Sequence, residues 1–245
     1  MIARNSNRRT AVKAAAVLSL AVAGLAAGAQ SLSVLPVNVF LAPGQNAATL
    51  TVTNHGDHET AIQIRPYAWN QPDGNDQLDA THALVISPPI ATIAPGASQV
   101  VRLILRQPAQ DREATYRIIV DQIPPAAEPG IVHVVLRLSI PIFAQPAARA
   151  VPHIQFHLER EGEQVYLVGI NDGLRHDAIR SIELSTSDGR KLTPDSGASP
   201  YILAGVTRRW HFAVQGSLPP GDTLRLSAHA DSGSIEEQVR VVAKP

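Results

Sequence analysis

From Gln30 onward the chain is a series of short runs in which apolar and polar residues alternate, each stopped by glycine, proline, asparagine or aspartate. Alternation with a period of two puts successive side chains on opposite faces of an extended strand, so each run predicts a strand with one buried face. Between Gln30 and Pro146 seven such runs lie near 32–41, 47–54, 60–69, 82–87, 98–106, 114–122 and 131–143. Turn residues separate them at Pro43-Gly44, Asn54-His55-Gly56, Asp73-Gly74, Pro95-Gly96 and Pro124-Pro125. Seven strands in about 117 residues predict an immunoglobulin-like sandwich. Residues 147–152, small or polar and bracketed by Pro146 and Pro152, read as a short stiff linker. Six further runs, near 153–159, 163–170, 179–186, 206–214, 222–230 and 235–243, predict a second all-β domain over 153–245. No segment after the first 29 residues has a helical period, and the two halves share no evident repeat.

The first 29 residues follow another pattern. Arg4, Arg8, Arg9 and Lys13 precede the apolar run AAAVLSLAVAGLAAG and a small-x-small end at Ala27-Gly28-Ala29. This predicts a secretory signal cut before Gln30, with the paired Arg8-Arg9 loosely like a twin-arginine leader. Removal of a leader with four basic and no acidic residues takes the chain from 245 residues and 21 basic groups to 216 and 17. Against 21 acids the formal charge is then −4. That balance argues against a nucleic-acid partner. The apolar run is too short to span a bilayer, so no membrane insertion is expected. The chain has no cysteine, so packing rather than disulfides must stabilise it.

One run is anomalous. Ile131 to Phe143, IVHVVLRLSIPIF, is thirteen residues long, where an ordinary strand has about 5–6. Val132, Val134, Leu136, Leu138, Ile140 and Ile142 make one face wholly aliphatic; the other is mixed. Pro141 has no N–H for a ladder, which predicts a sheet edge or a switch between sheets. The stripe reads either as sandwich core or as a surface offered to another chain by β-augmentation.

The segments PVNVFLAPG (36–44), LTVTN (50–54), RPYAWNQPDGNDQL (65–78), SPPIATIAPGASQVVRL (87–103), ATYRIIVDQIPP (114–125) and SIPIFAQP (139–146) occur in an order and spacing that together carry information. By them the first domain resembles the periplasmic chaperones of the chaperone-usher pilus pathway, in particular their archaic branch. The resemblance implies an all-β boomerang of two immunoglobulin-like domains that lends a strand to pilus or fimbrial subunits and passes them to an outer-membrane usher. It places the donor residues at Val132, Val134 and Leu136, with Leu138 beside them, and leaves Ile140, Ile142 and Phe143 to the chaperone's own core. The basic pair that grips a subunit's C-terminal carboxylate in the better-known branch falls here on Asn38 or Val37 and on Pro141. Arg102 and Arg137 are the nearest cations in sequence, and both read more simply as solvated strand-face charges. The family's inter-domain ion pair keeps its acid at Glu113; its basic position is Gln145, with Arg149 in the linker as the expected substitute. The exposed stripe also leaves open a self-capping dimer of the free protein.

Nothing in the chain asks for a cofactor or a metal, and no catalytic role is expected. His153 and His157 share a strand face about 13–14 Å apart, too far for one ion. His55 and His58 fall in a turn, and the Asp73 to Asp79 loop lacks the glutamate of a calcium-binding hand. No nucleophile elbow, P-loop or dinucleotide fingerprint is present. Tyr67 and Trp69, two apart on one strand, leave an immunoglobulin-like adhesion or carbohydrate-binding module as the alternative.

Overall fold

A computed structural model describes residues 32–125, 130, 134–162, 164–195, 199–214, 218 and 221–243. The first half contains β1 (Leu32–Leu35), β2 (Val39–Leu41), β3 (Ala47–Asn54), β4 (Thr60–Asn70), β5 (Gln77–Ala80), β6 (Leu84–Ser87), β7 (Ile90–Ile93), β8 (Ser98–Leu105), β9 (Ala114–Ile123) and β10 (Arg137–Ala144). The second contains β11 (Ile154–Glu161), β12 (Gln164–Asn171), β13 (Asp177–Ser185), β14 (Lys191–Leu192), β15 (Tyr201–Ile202), β16 (Val206–Phe212), β17 (Thr223–Ala230) and β18 (Gly233–Ala243). Among the described residues the single helical element is a 3-10 turn at Pro72–Gly74. No helix there is long and apolar enough to cross a membrane.

In the first domain β1-β3-β8-β6 form one sheet and β2-β10-β9-β4-β5 the other, with β7 also on β4. Their inner faces meet in a core of Val39, Leu50, Val52, Ile62, Ile64, Val101, Leu103, Ile118, Ile140 and Ile142, all nearly inaccessible. Alternation explains it: in β8, Val101, Leu103 and Leu105 are buried while Val100, Arg102 and Ile104 face out. Each aliphatic side chain so buried contributes roughly 1.5–3 kcal/mol.

Two departures from the expected strands matter. The run 32–41 is two strands rather than one. β1 pairs antiparallel with β3, whereas β2 has crossed to the other sheet and runs parallel to β10, Val39 opposite Ile142. Pro36 lies at the break, where a missing N–H costs nothing. In the long run, Ile131, Val132 and His133 lie outside the described residues, and the ladder of β10 begins only at Arg137. β5 and β7 are four-residue edge strands, too short for alternation to mark.

The second domain is one eight-stranded sheet folded over itself. β11, β12 and β16 form one half and β13, β17 and β18 the other, joined where Leu158–Arg160 run parallel to Val241–Ala243. Leu158, Leu167, Trp210 and Phe212 pack there against Leu184, Leu224, Leu226 and Val239. The segment before β11 lies against the second domain: Leu174 N–H donates to Val151 O at 3.1 Å. A Cβ on Gly173 would stand 2.4 Å from His153 N, so only glycine permits this approach.

Among the described residues each domain also holds one fully buried asparagine at a strand end. Asn54 Nδ2 donates to His58 O and Ile93 O, and its Oδ1 accepts from Gly56 N. Asn171 Nδ2 donates to Arg175 O, Ile202 O and Leu203 O, and its Oδ1 accepts from Gly173 N. Although the sequences show no repeat, both domains close the same kind of turn with the same side chain.

Candidate functional site

β10 pairs along its length with β9 on one side, but on the other it meets β2 only at Ile142–Ala144. Gln122 N–H donates to Leu136 O at 2.9 Å, and Gln145 N–H donates to Leu41 O at 3.0 Å. Even-numbered residues therefore turn their backbone groups toward β9 and odd-numbered ones toward the β2 side. Arg137 and Ser139 thus present backbone N–H and C=O at an open edge. Pro141, turned the same way, lacks an N–H and loses no ladder bond to β9.

Along the aliphatic face burial falls steadily toward the chain start. Ile142 and Ile140 are core, Leu138 packs against the core's rim, Leu136 is half-buried, and Val134 is 79% exposed. Val135, on the other face, is 48% exposed. Of the expected donor residues, Val134 and Leu136 thus project beyond the sandwich, Leu138 straddles its edge, and Val132 lies outside the described residues. Phe143, expected in the sandwich core, faces instead the junction between the domains. Odd positions of this strand point out of the first sandwich, so alternation sends it there.

The outer face of this sheet carries charge. Asp121 on β9 is bridged by Arg65 of β4 and Arg137 of β10, each at 2.5 Å. Burial pushes the Asp121 carboxyl upward, but the hydrogen bonds from Arg137 and Arg65 outweigh it and hold the group below the usual carboxylate range. Arg117, two strand repeats further along β9, lies 3.9 Å over the Trp69 ring and 5.7 Å from that of Tyr201. It donates to Ser139 Oγ at 3.2 Å and stands 3.6 Å from Asp76. Burial lowers its pKa, opposed by the nearby Asp76, yet a guanidinium stays charged. Sequence reading passed over Arg117, since nothing local distinguishes it from any strand arginine. Of the two cations singled out, Arg137 is engaged by Asp121, and Arg102 is exposed on the outer face of the opposite sheet.

Glu113 is the inter-domain acid, but its partner is not Arg149. The Glu113 carboxylate is inaccessible, and His176 of the second domain meets it through Nδ1 at 2.5 Å and its backbone N–H at 2.9 Å. Arg175 Nε is 4.0 Å from the other oxygen. Arg149 is exposed, and no ion pair reaches it among the described residues. A flexible side chain on the linker would have to give up its hydration, whereas His176 is already held by stacking on Phe143, ring centroids 3.5 Å apart. Trp69 and Tyr201 complete the aromatic cluster edge to face at 5.3 Å.

A second tie crosses the junction. Gln71, buried after β4, donates to Tyr201 O at 2.9 Å and accepts from Leu203 N at 3.0 Å. Its Nε2 also donates to Asp76 Oδ1 at 2.7 Å, so the polar 71–76 loop is an inter-domain clasp. Its turn fits closely: a Cβ on Gly74 would stand 2.9 Å from Thr207 O. Trp69 is fully buried and Trp210 nearly so, which denies both to a carbohydrate platform. His153 and His157 each pair with a neighbouring carboxylate, of Asp172 and Glu159.

Two immunoglobulin-like sandwiches are tied through a buried polar and aromatic junction, and the first leaves its last strand open at one edge. Residues 31–150 match the family described as pili and flagellar-assembly chaperone, PapD N-terminal domain. Over 187 residues the chain is 28% identical to the chaperone protein FaeE of Escherichia coli, covering 71% of this chain and 66% of FaeE. The similarity thus spans a little under two-thirds of that relative's length. The fold matches a chain of the CsuC-CsuE chaperone-tip adhesion subunit pre-assembly complex from archaic chaperone-usher Csu pili of Acinetobacter baumannii. There the TM-score is 0.63 at 21% identity, covering 88% of this chain and 100% of that one. It also matches the Salmonella enterica SafA pilin complex with the SafB chaperone, with a TM-score of 0.57 at 15% identity, covering 87% and 96%.

Proposed function

We propose that the protein is a periplasmic chaperone of the archaic chaperone-usher type that binds pilus or fimbrial subunits and hands them to an outer-membrane usher. The observation that carries this reading is the open edge of β10, where an aliphatic stripe runs out of the sandwich core through the half-buried Leu136 to the exposed Val134. A subunit lacking one strand exposes an apolar groove and unpaired backbone groups. β10 and the residues before it offer both complements at once, backbone groups along the edge and alternate side chains for the groove. The donor set is Val132, Val134 and Leu136, with Leu138 at the boundary.

The cleft supplies a cation through Arg117 rather than through the positions that carry Asn38 and Pro141. Arg117 is held over Trp69 beside Ser139, and its nearest acid is 3.6 Å away. That leaves it fit to receive a client's C-terminal carboxylate by a charge-assisted pair. The function calls for binding and no catalytic group. The two domains are held by Glu113 with His176 and by the Gln71 clasp.

The test is affinity purification of the tagged protein from its native periplasm beside a Val132→Asp/Val134→Asp/Leu136→Asp form. A small β-rich secreted subunit is expected with the parent and absent from the variant. The same partners with both would remove strand donation and favour an adhesion module.

A further inference from the structure

A lent strand has to part from its own sheet, and the register of β9 against β10 fixes where. Arg137 stands opposite Asp121. Continued backward, that register sets Leu136 opposite Gln122, Val135 opposite Ile123 and Val134 opposite Pro124. Bonded pairs in an antiparallel ladder recur at every second residue. The 2.9 Å bond from Gln122 N–H to Leu136 O makes Leu136 with Gln122 a bonded pair, so the next in series is Val134 with Pro124. Pro124 has no N–H to donate. The ladder stops at Leu136, and among the described residues Val134 and Val135 make no backbone hydrogen bond.

The stop is reinforced from the other side. Gln122 is buried, and its side-chain Oε1 accepts the Leu136 N–H at 3.2 Å, so both backbone groups of Leu136 are held by one residue. The next residue, Arg137, is fastened to Asp121. On one side of this point the strand is fixed to the sheet; on the other, among the described residues, neither edge is bonded.

We infer that Gln122 and Pro124 are positioning residues for strand donation: Gln122 pins the strand at Leu136, and Pro124 releases the residues before it from β9. The inference rests on the strand-donation reading. It divides the lent strand into Arg137–Pro141, with one edge free for a client, and Val134–Val135, with both edges free and able to lie between two client strands.

Residue-resolved amide hydrogen exchange on the purified, client-free protein tests it. Gln122→Met keeps the volume and loses the acceptor. It should speed exchange at Leu136 about tenfold, the worth of one hydrogen bond, and leave Ile140 and Ile142 unchanged. Gln122→Glu keeps an acceptor oxygen and should retain the protection. Pro124→Val restores a donor for the Val134 carbonyl, and the amide introduced at position 124 should exchange about tenfold more slowly than an unprotected one. Such a gain in order cannot come from general destabilisation. Unchanged Leu136 exchange in Gln122→Met, or an unprotected amide at position 124 in Pro124→Val, overturns the inference. Because no client is present, that failure leaves strand donation standing. Undiminished capture by the aspartate form removes strand donation whatever the exchange rates.

Discussion

In each domain the last strand runs antiparallel to the strand before it and pairs in parallel, over three residues, with the domain's opening segment: β10 with β2, and β18 with β11. The parallel contacts align Ile142 with Val241, and hence Ile140 with Val239, Leu138 with Glu237 and Leu136 with Ile235. Both strands therefore leave a similar edge unpaired. On β10 the inward row stays aliphatic to the end; on β18 Glu237 interrupts it and Glu236, Gln238 and Arg240 surround it. An inward-pointing charge on an edge strand is a known guard against pairing with a second chain. The starts differ too. β18 springs from a tight hairpin, with Gly233 opposite Ala230, whereas β10 is let go by Pro124. One architecture thus carries a guarded edge and one whose aliphatic row runs out uninterrupted, and few side chains distinguish the two.

The comparison breaks most sharply at Val134. Val134→Asp puts on the uninterrupted edge what β18 carries on the guarded one, and subunit capture in a pull-down should fall more than about a hundredfold, because a client groove cannot solvate the charge. Since Val134 is exposed, thermal unfolding of the free protein should not move. Next come the asparagines shared by the domains. Asn54→Ala and Asn171→Ala each strand several buried backbone groups and should cost about 1–3 kcal/mol in denaturant unfolding, each in its own domain.

A smaller effect attaches to the guard. Burial raises the Glu237 pKa, so its folded value lies above the unfolded one. The ionised carboxylate then opposes folding at neutral pH, and the opposition disappears once pH falls below the unfolded value of about 4.3. Glu237→Gln should be more stable than the parent at pH 7 and equal to it at pH 3, by denaturant titration. Glu237→Leu should in addition self-associate in sedimentation, as the guard is lost. Smallest is Asp121. Its folded pKa lies below its unfolded one, so the stability it supplies is present above about pH 3.9 and is lost as pH falls through the folded value. The gap in stability between parent and Asp121→Asn should shrink between pH 5 and pH 2.

Most of the fold was legible. The runs at 47–54, 60–69, 98–106 and 114–122 correspond to β3, β4, β8 and β9 within a residue or so at their ends. The anomalous run was legible as anomalous, and Glu113 as an acid that needed a partner. What failed were the pairings. His176 is 63 residues from Glu113, and nothing local distinguishes it from the other histidines. Gln71 carries no local signal, because Tyr201 and Leu203, which it meets, belong to the other domain. Arg117 becomes special only when Trp69 and Tyr201 arrive beneath it.

The sequence by itself determined the strand pattern, the faces of each strand, the aliphatic stripe and the missing donor at Pro124. These depend on alternation and on the chemistry of single residues. Tertiary structure alone decided which edge of β10 lacks a neighbour, where the stripe leaves the core, and which groups meet Glu113 and surround Arg117. Period two fixes the face a side chain points from, but not which strand or domain comes to lie against it.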